Sequence, residues 1–582
     1  MKKPMKYIAF GLILLVVSLP LIQMGLHPVK EKPLHGAFIL AEKPVFSKEN
    51  WESGKYQEQV EKYLKDHAGF RNFLVRLYNQ VDYSFFRKAN AEGATIGKNR
   101  QLFEYDYIRS WLAIDNPGES FISKKLNRAK YVQEYLKREK GIDLVIVFEP
   151  GKASFYPEHI PEKFRAQKHG PSTYEAYIQK AREIDLDYID LQAYFMQLKP
   201  GSEYPLFPRY GTHWSVFGMK FAADSLLSFI EHRRGIDLAR VFNDTTEVST
   251  RPRDTDNDVA KTMNLLFEPA GEKLAYPVLS FDSTSQADKP MVLVVADSYY
   301  WNIFNTHIPR HLFANEAFWY FNELVYPDNY ISPVHTRDLN LKSEVEKQDV
   351  IFLMVTERFI HKFDWIFIDQ LYRLYTPEWL YDPVYDNINR IMMHAPWYDE
   401  LIEKANLKGI TLEEELIIEA KYLIYKEDTA EFMIRYGDNY YKNSIAGFPD
   451  WMDAIREKAR TRGISEQEML ELDALYMFQK RYPVYYELHR GIMAVRNEIS
   501  EDSAMMSSIS QQSHYYHFDI DEMIWATARQ TFRENELRRI SDLIRKDEKW
   551  LAQVKQKALD RGLTLEDMLR MDAIWVFEQK LK

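Results

Sequence analysis

The stretch "KPMVLVVADSYYWNIF", residues 289–304, places a serine where a strand is predicted to end and a helix to begin. Its first half is continuously apolar and rich in valine, which is typical of a parallel strand covered on both faces. The stretches "DLVIVFEP" (143–150), "DYIDLQAYF" (187–195) and "DVIFLMVTE" (349–357) have the same character, and helical stretches alternate with them. This alternation predicts an α/β domain over about residues 120–375.

Ser298 is a candidate nucleophile because of where it stands. Ligands of open α/β sheets bind at the carboxyl ends of the strands, and Ser298 follows such an end. Backbone N–H groups at the start of the next helix can hold an oxyanion. The structural alternative is that Asp297 and Ser298 are ordinary helix caps.

A histidine precedes another predicted helix, in "PLFPRYGTHWS" (205–215), which leads into "GMKFAADSLLSFI". In the same α/β domain, His213 is the candidate base for Ser298. Such a histidine needs an acid to orient its ring. The residues before it, Gly211 and Thr212, supply none.

Composition narrows the class of protein. The chain has 582 residues, which predicts more than one domain, and its net charge is −10 with no basic block, which argues against a nucleic-acid partner. It has no cysteine, so disulfides, thiolate metal sites and a cysteine nucleophile are excluded. We expect no metal and no cofactor.

The N-terminus predicts a membrane anchor. Lys2, Lys3 and Lys6 precede an uncharged run, residues 7–26, that is long enough to cross a bilayer as a helix. The lysines should remain in the cytoplasm, and this orientation places the rest of the chain on the other side of the membrane. No small-x-small cleavage site follows, which favours an uncleaved anchor over the alternative of a cleaved signal peptide.

Beyond about residue 380 the strand patterns stop and a repeat begins. Similar segments start at Trp397, Trp451 and Trp550, and each places a glycine twelve residues later and a Thr or Ser two residues after the glycine. The glycine is expected to end a first helix in the left-handed conformation. The Thr or Ser is expected to cap a second helix. The Trp, Met and Ala positions are interpreted as packing residues of helical hairpins. The glycines are Gly409, Gly463 and Gly562, and the capping residues are Thr411, Ser465 and Thr564.

The sequence resembles the alginate O-acetyltransferase family of the AlgJ and AlgX type, SGNH-hydrolase-like proteins also called the DHHW family. The resemblance covers about residues 1–375 and is carried, in order, by the N-terminal apolar run, "SGKYQEQVEKYLKDHAGFRNFLVRLYNQ", "ATIGKNRQLFEYDYI", "VIVFEPGKASFYPEHIP", "YPLFPRYGTHWSVFGMKFAADSL", "VLVVADSYYWNIF" and "QDVIFLMVTERFI". It implies a three-layer α/β SGNH-like domain that O-acetylates an exported polysaccharide. It also implies a membrane-bound O-acyltransferase that supplies acetyl groups as a partner.

The family motifs fall on particular residues here. Gly-Asp-Ser matches Ala296-Asp297-Ser298, which implies that Ser298 is the nucleophile, and Asp-x-His-Trp matches residues 211–214, which implies that His213 is the base. The aspartate of that motif is replaced by Gly211.

Three hypotheses follow for the missing acid. A backbone carbonyl near Gly211 orients the ring, which we rank first. Alternatively, a remote carboxylate does so, with Glu149, Asp297 and Glu357 as candidates and Trp214 as a further supporting residue. In the third hypothesis the site is silent and only binds glycan.

The predicted organisation has four parts: an anchor (1–30), a helical and hairpin segment (31–118), an SGNH-like acetyltransferase domain (119–378) and a helical-repeat region (379–582). The predicted function is a membrane-anchored O-acetyltransferase of an exported polysaccharide or envelope glycan. It is expected in the cytoplasmic membrane, with most of the chain outside the cytoplasm. The alternative is a degraded SGNH-like scaffold that binds glycan and docks partners through its helical tail.

Overall fold

A computed structural model of the chain describes residues 3–36, 39–282, 288–327 and 331–580. Lys2, part of the predicted basic flank, lies outside them.

A seven-stranded mixed sheet forms the centre of the α/β domain. Its strand order is β10-β9-β8-β7-β11-β3-β4, with the five strands from β8 to β4 parallel and β9 and β10 antiparallel. Two further antiparallel pairs, β1-β2 and β5-β6, lie outside it. The strands are β1 (Ala94–Ile96), β2 (Leu102–Glu104), β3 (Asp143–Glu149), β4 (Tyr188–Asp190), β5 (Val241–Ser249), β6 (Leu274–Phe281), β7 (Val292–Ala296), β8 (Ala317–Tyr320), β9 (Leu324–Tyr326), β10 (Val334–His335) and β11 (Val350–Thr356).

Strands β7, β11 and β3 are buried along their whole length, as their continuous apolar character predicts. Successive residues of β3 point to opposite faces of the sheet: Ile146 packs into one apolar core and Val147 into the other. Helices cover both faces, which gives three layers. The predicted strand at 187–195 is shorter than expected, because the Asp190 side chain accepts a hydrogen bond from Ala193 N and starts a helix there.

Within the described ranges, sixteen α-helices precede the tail. They are α1 (Lys3–Leu26), α2 (Lys48–Glu52), α3 (Lys55–His67), α4 (Arg71–Val81), α5 (Tyr105–Trp111), α6 (Glu119–Tyr135), α7 (Lys152–Phe155), α8 (Glu162–Arg165), α9 (Thr173–Glu183), α10 (Leu191–Leu198), α11 (Val216–Arg234), α12 (Asp258–Thr262), α13 (Tyr300–Phe304), α14 (Ile308–Leu312), α15 (Leu341–Glu346) and α16 (Phe367–Tyr375). Within α1, Met5–Leu26 is long and apolar enough to cross a membrane, and little of it is buried against the rest of the protein.

The tail is all helical, as predicted. Its helices are α17 (Pro383–Met393), α18 (Ala395–Lys408), α19 (Leu412–Glu427), α20 (Thr429–Ala446), α21 (Pro449–Arg462), α22 (Glu466–Arg481), α23 (Pro483–Glu501), α24 (Ser503–Tyr516), α25 (Ile520–Lys546), α26 (Glu548–Arg561) and α27 (Leu565–Gln579). The repeat contains three helices rather than two, because α17, α20 and α25 precede the three recognised hairpins. The pair α23-α24 interrupts the series, and together with the longer α25 it accounts for the unequal spacing of the repeats.

The three repeat glycines end their helices as predicted. Gly409, Gly463 and Gly562 have φ of 68°, 66° and 63°, the left-handed region that favours glycine. Thr411 and Ser465 form complete capping boxes with the glutamates three residues on. The prediction of helix breaks at these positions is confirmed.

One ion pair recurs in every repeat and links the two helices of its hairpin. The lysine seven residues after the Trp pairs with the acid fifteen residues further on. The pairs are Lys404–Glu419 at 3.2 Å, Lys458–Asp473 at 2.6 Å and Lys557–Asp572 at 2.8 Å.

Candidate active site

The turn between β7 and α13 presents Ser298 at the carboxyl edge of the sheet. Asp297 is fully buried beneath it, and its carboxylate accepts hydrogen bonds from Tyr299 N at 3.0 Å and from Thr356 N and Oγ1 at 2.9 and 2.7 Å. Thr356 is the last residue of β11. Asp297 therefore ties the serine turn to the neighbouring strand, which makes it a positioning residue.

His213 meets Ser298 across this edge. Its Nε2 lies 2.9 Å from Ser298 Oγ. Ser215, two residues after the histidine, caps α11, and the Tyr299 hydroxyl donates to the carbonyl of Thr212, the residue before it, at 2.8 Å. The chain on both sides of His213 is thus fixed, and the predicted hydrogen-bond contact between the two side chains is present.

The acid is Asp258, the first residue of α12. Its Oδ2 lies 2.6 Å from His213 Nδ1. Its Oδ1 accepts hydrogen bonds from Thr212 N at 2.8 Å and Val259 N at 2.6 Å. The first-ranked hypothesis, a backbone carbonyl near Gly211, is therefore wrong for this site.

The Gly211 carbonyl has another partner, which explains why it does not orient the ring. It accepts a short hydrogen bond from Lys152 Nζ, which also donates to the Arg209 carbonyl at 3.1 Å. Lys152 is fully buried, and burial lowers the pKa of its ammonium to about 7. The lysine holds the backbone that approaches His213.

Gly211 is explained by the passage of a second chain segment. A Cβ at position 211 would lie 2.4 Å from the Thr255 carbonyl oxygen and 2.8 Å from Asp256 C, closer than real Cβ atoms come. The segment that would be displaced is the approach to α12. The aspartate of the motif is thus absent at position 211, and the glycine there leaves room for the loop that carries Asp258.

The other predicted acids do not reach the ring. Glu149 is buried at the end of β3, where burial and the neighbouring Asp297 raise the pKa of its carboxyl well above the usual range. Glu357 is buried after β11, where it accepts a hydrogen bond from Ser154 Oγ, and burial raises its pKa to about 8. The remote-carboxylate hypothesis was right in kind but named the wrong residues.

Trp214 has a packing position. It is fully buried, with its ring 5.0 Å from that of Tyr299 in an edge-on contact and 6.0 Å from that of Phe195. It anchors the His213 segment to the core and does not approach Ser298 through a hydrogen bond.

Sequence reasoning missed Asp258, Lys152 and Thr212. Asp258 belongs to "DTDNDVAK" (254–261), where three acids alternate in a loop between β5 and β6. That cluster was the available signal, but nothing in the sequence selects one acid from the three. Among the described residues, no group of three His, Asp or Glu side chains is placed to hold a metal ion.

A serine, a histidine and an aspartate hydrogen-bonded in series at the carboxyl edge of a parallel sheet define a serine-hydrolase-like α/β protein. Residues 95–289 match the SGNH hydrolase-like domain of the acetyltransferase AlgX. His213 and Asp258 lie inside this match, and Ser298 lies just beyond its end.

Two curated relatives are probable alginate O-acetylases AlgJ. The protein from Pseudomonas aeruginosa is 27% identical over 37% of this chain and 51% of its own length. The protein from Azotobacter vinelandii is 26% identical over 31% of this chain and 44% of its own length. The chain therefore spans about half the length of the curated relatives that it matches.

Among solved structures, the O-acetyltransferase domain of Pseudomonas putida AlgJ aligns with 48% of this chain and 98% of its own, at 20% identity and a TM-score of 0.33. The domain match and the curated relatives show that part of this chain is similar to proteins of the AlgJ/AlgX type. The predicted fold class, an SGNH-like domain with a helical C-terminal region and one N-terminal apolar helix, is confirmed.

Proposed function

We propose that the protein is a membrane-anchored O-acetyltransferase that acts on an exported polysaccharide through an acyl-enzyme on Ser298. The observation that carries the proposal is the hydrogen-bonded series Ser298–His213–Asp258, with 2.9 Å and 2.6 Å between successive side chains. The relatives named as alginate O-acetylases support acetyl transfer to a polysaccharide.

In the first half-reaction, Ser298 Oγ attacks the carbonyl carbon of the acyl donor while His213 Nε2 takes the hydroxyl proton. The tetrahedral intermediate collapses, the leaving group receives that proton from His213, and an ester on Ser298 remains. In the second half-reaction, a sugar hydroxyl attacks the ester and gives its proton to His213. Ser298 Oγ then leaves and recovers the proton from the ring.

Asp258 supports the charge that each step places on His213. The carboxylate accepts from Nδ1–H, which fixes the tautomer that leaves Nε2 free to act as a base. Its second oxygen is held by Thr212 N and Val259 N, so the carboxylate cannot rotate away when the imidazolium forms.

The oxyanion requires donors beside Ser298. The Ser298 N–H donates no hydrogen bond to any residue in the described part of the chain, so it is available to the developing negative charge. Asn302, one helical turn further on, is held by a 3.1 Å hydrogen bond from its Nδ2 to Thr255 Oγ1. This contact joins the nucleophile helix to the loop that carries Asp258.

The anchor and the acetyl source belong to the same proposal. Helix α1 would hold the protein at the cytoplasmic membrane with the α/β domain and the tail outside the cytoplasm. A membrane-bound O-acyltransferase would supply the acetyl group from the cytoplasmic side. The scaffold alternative loses its main argument, since the loop at residues 255–256 accounts for Gly211.

The test uses the purified full chain in detergent and a serine-directed sulfonyl fluoride probe. We expect the probe to label the native protein and Ser228→Ala, an exposed serine variant on α11, but not Ser298→Ala. Acetyl transfer to a polysaccharide, measured in membranes, should be lost in Ser298→Ala alone. Equal labelling of Ser298→Ala and the native protein would sink the proposal.

A further inference from the structure

Helix α4 has its apolar side on the outside of the protein. Seven large apolar side chains on α4 and the π-helical turn Asp82–Phe86 that follows it are 39% to 79% exposed, and five of them form one group. Their spacing of three or four residues places them on one side of the helix, here called the α4 apolar face. It consists of Leu74, Leu77, Tyr78, Val81 and Phe85.

The polar side of the same helix is buried. Arg76 donates to the Leu265 carbonyl at 3.2 Å and to the Pro33 carbonyl at 2.7 Å, and Asn79 donates to the Met263 carbonyl at 2.8 Å. A surface helix of a protein that meets only water has the opposite arrangement. The α4 apolar face therefore requires a covering other than water.

The corner between α3 and α4 contacts α1, and this contact indicates how deep the α4 apolar face would lie in a membrane that α1 crosses. A Cβ on Gly69 would be 2.1 Å from the Pro20 carbonyl oxygen and 2.7 Å from Gln23 Cβ, so the corner packs directly on α1. Pro20 precedes Leu26, the end of the apolar run, by six residues, which is about 9 Å along a helix. Interfacial helices bury their apolar faces about 5–10 Å into the boundary between headgroups and acyl chains.

Charges beside α4 suit the same location. A cavity of about 470 Å³ next to the helix is lined by Lys30, Lys32 and Lys261 together with Phe70 and Phe73. Glu31 and Glu268 also line it. A mixture of lysines and aromatic rings at this depth matches the phosphates and acyl chains of anionic lipids.

We propose that the α4 apolar face lies in the membrane interface and that its partner is the lipid bilayer itself. The inference rests on the proposed membrane anchoring, because the depth is measured along α1. Lipid is favoured over a protein partner since the corner touches α1 within the span that hydrocarbon and headgroups surround. The proposal makes α4 a second membrane contact in addition to the anchor.

The buried side of α4 gives this contact a mechanistic role. Its partners Met263 and Leu265 directly follow α12, whose first residue is Asp258. The helix that rests on the lipid thus holds the segment that carries the acid. Seating α4 in the membrane would fix the height and orientation of the active site above the lipid surface.

The absence of cysteine makes a depth measurement direct. Single-cysteine variants Leu77→Cys and Phe85→Cys of the full chain would carry an environment-sensitive fluorophore in vesicles of zwitterionic and anionic phospholipid, without other proteins. We expect blue-shifted emission, quenching by nitroxide-labelled lipid and protection from aqueous iodide. Leu559→Cys, an exposed residue of the tail, is the control and should be quenched by iodide only.

Two further measurements separate the possible failures. Leu15→Cys, within α1, reports whether the anchor is inserted, and serine labelling in the same vesicles reports the proposed chemistry. Iodide-accessible labels at residues 77 and 85 with an inserted anchor would overturn the inference and leave the proposed function standing. Protection that appears only when a membrane-bound acyltransferase is added would replace lipid by a protein partner. Protection in lipid alone supports the proposal.

Discussion

The contacts within the helical tail join residues that are close in sequence, whereas those at the active site of the α/β domain join residues that are far apart in sequence. In the tail, Ser465 caps a helix through a residue three positions away, and Lys458 pairs with Asp473 fifteen positions away. In the α/β domain, His213 meets Asp258 and Ser298 across 45 and 85 residues, and Thr356 reaches Asp297 across 59. Local contacts recur when a sequence pattern recurs, whereas the long-range contacts depend on the whole topology.

The difference teaches where each region is vulnerable. A change in the tail disturbs one hairpin of a repeated series, since each unit contacts mainly its neighbours. A change at the carboxyl edge of the sheet disturbs groups from several elements at once. We therefore expect the largest effects from changes at the carboxyl edge of the sheet and the smallest from changes within one hairpin of the tail.

The largest effect is expected from Asp258→Asn. An amide keeps the size of the side chain but cannot stabilise the imidazolium, and it favours the wrong tautomer of His213. A loss of about 10⁴-fold in kcat is expected by comparison with the same lesion in serine-protease triads. The measurement is acetyl transfer to a polysaccharide in membranes that contain the full chain, as for Ser298→Ala.

A neighbouring acid provides the control for that variant. Asp254→Asn changes the same loop without touching the ring, and it should retain the native rate. Similar rates for the two variants would show that Asp258 does not support His213 as a base and that another group orients the ring.

The second effect tests the close approach of two chain segments. Gly211→Ala places a Cβ where the Thr255 carbonyl oxygen lies, so the loop that carries Asp258 must move. We expect about a 10²-fold loss of rate, the scale of an active-site misplacement of about 1 Å. Gly201→Ala, where a Cβ meets nothing within 4 Å, is the matched control. Unchanged activity in Gly211→Ala would mean that the loop yields without cost.

The sequence predicts one half of this site and not the other. Ser298 and His213 are recognisable because each stands at a strand or helix boundary that local patterning reveals. Asp258 stands in a loop whose position depends on how β5 pairs with β6, and no local pattern expresses that pairing. Gly211 suggested a backbone acceptor because the loop that it admits was unknown, and the same loop supplies the acid.

The tail was predictable for the opposite reason. Capping residues and left-handed glycines act within a few positions, so Gly409, Thr411 and Glu414 are sufficient to define a helix boundary. The three-helix unit was missed because α17, α20 and α25 carry no shared motif. The inverted helix α4 was missed because helical spacing alone does not tell which side of a helix faces inward.

The third prediction concerns buried charge, which distinguishes the two regions in another way. Glu357 in the α/β domain has a pKa of about 8 because of burial, whereas hydrogen bonds from Ser465 lower the pKa of Glu468 in the tail. An unfolded glutamate has a pKa near 4.5. Between these values the folded state binds more protons at Glu357, so this residue makes stability fall as pH rises from about 5 to 8.

Glu357→Gln removes that dependence while keeping a neutral side chain of the same shape. The variant should match the native melting temperature near pH 5 and exceed it by a few degrees near pH 8, as followed by thermal unfolding. Glu468→Gln in the tail should show no such gain. A constant difference across the pH range would contradict the assignment of a neutral Glu357.

The fourth prediction concerns the tail glycines. Gly463→Val puts a β-branched residue into the left-handed conformation, which should cost more than the ~1 kcal/mol of ordinary helix propensity. Gly447→Ala is the control, because Gly447 ends α20 with φ of −74°. Tail unfolding followed by circular dichroism should shift for the first variant only. A large loss of probe labelling at Ser298 would show that the change spreads beyond its hairpin into the α/β domain.

The smallest effect is expected from a repeat ion pair. Lys458 is about half exposed, so Lys458→Met should change the free energy of unfolding by less than about 1 kcal/mol, and added salt should weaken the difference. Chemical denaturation at low and high salt measures it. A larger loss of free energy of unfolding that does not change with salt would show that the hairpin helices depend on this ion pair more than on their apolar contacts.

The β5-β6 pair separates the acid from the two residues that it serves. Ser298 and His213 belong to the body of the α/β domain, whereas Asp258 lies in a segment enclosed by two strands outside the main sheet. Such a segment can change in length and sequence without altering the central sheet. The position of the acid in the sequence can therefore differ between related proteins. A glycine in the His-Trp motif does not by itself indicate an inactive relative. The feature to look for is a glycine that admits a neighbouring loop together with a carboxylate on that loop.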